Sequence, residues 1–72
     1  MNLLSPRHLV RKRRFLQTFK HLYKNSWVID YYPTSYMSRQ FDLLVGGVRD
    51  ERVSDVAMSV WMAAGFQMDS KG

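Results

Sequence analysis

Ser5 to Asn25, SPRHLVRKRRFLQTFKHLYKN, is the stretch from which the arrangement of the whole chain follows. It carries seven of the eleven Lys and Arg residues and no Asp or Glu. Ser5 followed by Pro6 is a helix start: the hydroxyl can accept from an otherwise unpaired amide, and proline at the first helical position gives up only an unused donor. From Leu9 onward the apolar residues keep helical spacing. Leu9, Leu16, Phe19 and Tyr23 recur at intervals of seven, three and four, and Phe15 and Leu22 widen the stripe to roughly 140° of the helix.

The charges flank that stripe. Arg13, Lys20 and Lys24 line one border, while Arg7, Arg11 and Arg14 line the other. Lys12 projects from inside the apolar arc, which calls either for a snorkelling stem or for a first turn that extends past the body of the domain. Arg7 and Arg11 oppose the dipole at the helix start, and no acid lies nearby to offset them. Such a segment is either a solvated face or a surface for an anionic partner, since unpaired cations repel one another until something neutralises them.

The remaining residues set the limits. Seventy-two residues make one small domain over 1–72, and a chain of this size buries only about 60% of its unfolded surface. A hydrophobic content of 46% and an aromatic content of 14% favour folding over disorder. There is no cysteine, which excludes disulfides and thiolate metal sites and fits a reducing, cytoplasmic setting. No apolar run reaches membrane-spanning length, and the N-terminus lacks the apolar core of a secretory signal. An acid-free, Arg-rich amphipathic start also has the composition of a mitochondrial presequence, but its aromatics are patterned to pack with the rest of the chain. The run Arg11 to Arg14, RKRR, is weak evidence for nuclear import or processing.

Met1 to Leu4 is short and apolar, and Leu3 and Leu4 suit a hydrophobic staple near Leu9. Asn25 and Ser26 read as the end of the basic helix. Trp27 to Tyr32, WVIDYY, has the composition of a strand, but no second run of that quality exists to pair with it. The sequence therefore predicts an extended connector that buries Trp27 and Ile29 and is closed by Pro33. A second helix is expected at residues 35–46, capped by Thr34 or Ser35 and ended by Gly46 and Gly47. A third is expected at 50–65, with Asp50 and Glu51 at its positive end and Gly65 as its left-handed cap. Residues 66–72 read as a polar tail, with Phe66 folding back on the last turn. The expected fold is all-α: a three-helix domain with a basic amphipathic helix over 5–25 and an extended connector between helices 1 and 2. Its core should draw on Leu16, Phe19, Tyr23, Trp27, Phe41, Leu44, Val53, Val56, Val60 and Trp61.

Nothing points to catalysis, a cofactor or a metal. His8 and His21 are not spaced as ligands and have no carboxylate in their segment, so both are expected at the rim or in solvent. No nucleophile motif supports a Ser–His–Asp arrangement, and Gly46-Gly47 is not a phosphate loop. Asp50, Glu51 and Asp55 are better placed to cap a helix than to bind a nuclease metal. Arg39 to Trp61 can be laid on the DNA-binding helix-turn-helix plan, with Gly47 at the turn. However, its second helix would begin Asp50-Glu51-Arg52, acidic where phosphates approach, and a simple helical hairpin fits better.

Two function classes follow. In the first, a non-enzymatic nucleic-acid-binding accessory or regulatory protein grips phosphates through Arg11, Arg13, Arg14, Lys20 and Lys24. Tyr31, Tyr32 and Tyr36 could add base stacking. In the second, a modulator or inhibitor docks on a larger enzyme or receptor through Met58, Met62 and Phe66, steered by an acidic patch on its target. The same residues could also pair two copies of the chain.

Overall fold

Ser5 opens the first helix as its sequence requires, its hydroxyl accepting from the His8 amide at 3.1 Å. The computed structural model describes residues 5–67 and gives four helices: α1, Pro6–Tyr23; α2, Trp27–Tyr31; α3, Thr34–Val45; and α4, Asp55–Ala63. The domain is all-α, and no strand occurs among the described residues. The staple expected of Leu3 and Leu4, and the tail beyond Gln67, lie outside the described residues.

The connector departs from expectation. WVIDYY is extended by propensity, yet residues 27–31 wind into a single helical turn. A lone strand leaves its amides and carbonyls without partners, at about 1–3 kcal/mol for each one buried. The whole span of β-propensity is only about 1 kcal/mol. A helical turn solves this locally: the Ser26 hydroxyl accepts from Val28 N–H at 3.1 Å, and Val28 C=O accepts from Tyr32 N–H at 2.9 Å. Helical phase also changes which side chains face inward. Val28 is buried and Ile29 half-buried, whereas Trp27, expected in the core, is 67% exposed.

Two helix boundaries also differ. The α3 cap position is Pro33, not Thr34 or Ser35, and no side chain caps that end. Helix α4 begins five residues later than Asp50. The Asp50 carboxylate instead accepts from Arg52 N–H at 3.0 Å in a turn of its own, and Ser54 caps α4 by accepting from Ala57 N–H at 3.1 Å. A buried side chain fixes this start: Gln40 Oε1 accepts from Ser54 N–H at 2.9 Å. The resulting α3–α4 connection, residues 46–54, is far longer than the three or four residues of a helix-turn-helix.

Both glycine stops form as read. Gly47 and Gly65 each have φ of 86°, and Val48 N–H and Phe66 N–H reach back to Leu43 C=O and Trp61 C=O at 2.9 and 3.1 Å. These six-to-one bonds close the ends of α3 and α4.

The core is mainly aromatic. Phe15 of α1, Phe41 of α3 and Trp61 of α4 form a triangle with centroid separations of 5.2, 5.6 and 6.2 Å. Phe66 adds a fourth ring, 4.6 Å from Trp61 and 5.9 Å from Phe41. Phe19, Val28, Met37, Leu44, Val53, Ala57, Val60 and Ala64 complete the buried apolar set. Leu16, Tyr23 and Val56, expected in the core, pack against it while half-buried.

Candidate anion-binding surface

Packing divides the basic residues of α1 into groups with different neighbours. On one border, Arg11 and Arg14 lie over the face of Phe66, with guanidinium carbons 5.0 and 5.7 Å from the ring centroid. Their charges face an aromatic quadrupole rather than a carboxylate. Arg14 remains exposed and Arg11 is half-buried.

On the core side, His8 and Lys12 converge on α3. His8 Nε2 lies 3.0 Å from Asp42 Oδ1, and Lys12 Nζ lies 3.1 and 3.2 Å from Oδ1 and Oδ2. His8 is buried rather than at the rim, its ring edge-on to Phe41 at 5.2 Å. Lys12 therefore neither snorkels away nor projects beyond the domain; it ends on a carboxylate 30 residues later.

The other border is free. Arg13, Lys20 and Lys24 are exposed, and among the described residues none meets a carboxylate within ion-pair distance. Arg13 and Lys20 edge a shallow groove whose apolar wall includes Leu9 and Leu16. Lys20 and Lys24 edge a cleft of about 240 Å³ floored by Phe19 and Ile29 and closed by Thr34 at the start of α3. The α3 start has no acid in its first turn, so its partial positive charge adds to that of the lysines.

Of the five cations expected to act together, the fold thus gathers Arg13, Lys20 and Lys24 on one edge and sets Arg11 and Arg14 on another. The three residues expected at a protein-docking surface differ in exposure. Met62 is 64% exposed, Met58 is half-buried against the core, and Phe66 is 8% exposed within it. Phe66 is internal because the glycine stop turns it back onto Trp61. It therefore offers no free face to a partner.

Among the described residues no group of three or more His, Asp or Glu side chains is placed to hold a metal ion, and no helix is long and apolar enough to cross a membrane. The Asp42 pairing and the Gln40 clasp are the polar features that sequence reading missed. A signal for the first was present. Lys12 lies within the apolar arc of α1, and Asp42 adjoins the Phe41 face of α3, so two misplaced charges of opposite sign could have been matched. The match of known proteins to this chain is nil: no family model, no curated protein and no solved structure matches it.

Proposed function

We propose that this chain is a small non-enzymatic nucleic-acid-binding protein of the cytoplasm, an accessory or regulatory factor that holds phosphates along one edge of α1. One observation carries the reading: Arg13, Lys20 and Lys24 are exposed on a shared border and have no acidic partner among the described residues. The nearby Asp42 carboxylate is already taken by His8 and Lys12. Along the helix axis the three cations are roughly 10 and 6 Å apart, which spans two to three phosphate steps of a strand. Binding of this kind is electrostatic and only weakly selective for sequence. The absence of cysteine fits a reducing compartment.

The test is a salt titration of nucleic-acid affinity for the parent and for Arg13→Gln/Lys20→Gln/Lys24→Gln. Glutamine has similar helix propensity, so α1 is retained. If each cation neutralises one phosphate, the slope of log affinity against log salt falls by about 2–3 in the variant. An unchanged slope and affinity would exclude this edge as the binding surface.

A further inference from the structure

Trp27 and Tyr31 stand one turn apart on the outer side of α2 and are 67% and 68% exposed. Neither ring stands alone. Their centroids are 5.7 Å apart at an interplanar angle of 72°. Tyr31 meets Tyr32 at 4.8 Å, and Tyr32 meets Tyr36 at 5.1 Å. Four rings therefore run in contact from α2 across the Pro33 bend into the first turn of α3. Mutual packing fixes the exposed faces before anything binds, which removes part of the ordering cost of association.

Cations stand at both ends of the strip. Lys24 precedes Trp27 by three residues at the end of α1, and Arg39 follows Tyr36 by three on α3; both are exposed. Asp30 is the single carboxylate of α2 and is also exposed.

Resting on the nucleic-acid reading above, we propose that the strip stacks the unpaired bases of a single-stranded nucleic acid, with Lys20 and Lys24 holding its phosphates. A single strand carries flat, weakly polar bases along a backbone of anions, and this surface sets a run of contacting rings between cations. In a duplex the base faces are covered by their neighbours, so a duplex engages the cations alone. Each base stacked on an aromatic side chain is worth roughly 5- to 150-fold in affinity.

The full chain is titrated at one salt concentration with an oligothymidylate of about 12 nucleotides, within the range one small single-strand-binding fold covers, and with a duplex of equal length. Trp27 is the exposed one of the two tryptophans, so stacking should quench the emission it contributes. The expected result is tighter binding to the single strand. Trp27→Ala/Tyr31→Ala should weaken it by about tenfold or more and leave duplex affinity unchanged, and Trp27→Phe, which keeps a ring, should retain most of it. If the alanine variant does not fold, Trp27→Phe against Trp27→Ser carries the same comparison. Equal affinity of parent and ring-deleted variant for the single strand overturns the stacking proposal while leaving the phosphate reading intact. Binding of the parent to neither oligonucleotide overturns both. Capture on phosphatidylserine vesicles that depends on Trp27, with oligonucleotide binding that does not, assigns the strip to a membrane surface and overturns the proposal.

Discussion

Asp42 pairs with the His8 ring and the Lys12 ammonium, which α1 presents toward the core, and its removal leaves the buried His8 ring without its partner. A third of the Asp42 side chain is wet, so the loss is at the low end for a buried polar group. Asp42→Ala should cost about 1–2 kcal/mol and lower the thermal midpoint by several degrees, with the helical circular-dichroism signal retained below it. Gly65 has a stricter constraint. Its φ of 86° suits glycine, and a Cβ there would stand 3.2 Å from an Arg14 guanidinium nitrogen. The guanidinium can swing aside but the backbone cannot, so Gly65→Ala should cost about 1–2 kcal/mol through the left-handed conformation. Calorimetry of the two variants, singly and combined, should give additive losses, because Asp42 and Gly65 share no hydrogen-bond partner.

At the scale of elements, serine caps fix where α1, α2 and α4 start. Ser54 bonds to Ala57 N–H while Gln40 holds the Ser54 amide, so α4 is anchored to α3 at its cap. Ser54→Ala should cost about 1 kcal/mol and speed amide exchange at Ala57 more than at Phe19. The contrast with α2 explains what the sequence could disclose. Helices α1 and α3, both glycine stops and the all-α class were legible because periodicity and left-handed caps are local signals. Trp27 was misplaced because composition alone reports strand propensity. The phase of α2 depends on the Ser26 cap and on the lack of any strand to pair with, and inward-facing Val28 follows from that phase. Gln40 was unreadable for a related reason: its partners, Arg52 C=O and Ser54 N–H, lie in a loop whose path is set only by packing. For the candidate site, Arg13, Lys20 and Lys24 were legible from the helical wheel of one segment. The same wheel set Arg11 and Arg14 on the opposite border; that both guanidinium groups end over the Phe66 ring depends on packing between α1 and the end of α4.

Over the whole molecule, a net charge of +5 on 72 residues works against the compact state. Replacing Arg13, Lys20 and Lys24 by glutamine takes the net charge to +2. In the absence of ligand, that variant should therefore be as stable as the parent or slightly more so. The difference, within about 0.5 kcal/mol for exposed sites, should shrink as salt screens the repulsion. Denaturant melts at low and high ionic strength would measure it. The ring triangle also has a kinetic consequence. Phe15 and Trp61 touch across 45 intervening positions of chain, with Phe41 between them, so no two adjacent helices own a core by themselves. Folding must close that long loop before the rings can reward it. A chevron with single-exponential arms is expected. Phe41→Leu should act mainly on the refolding arm, whereas Gly65→Ala, at a terminus that locks late, should act mainly on the unfolding arm.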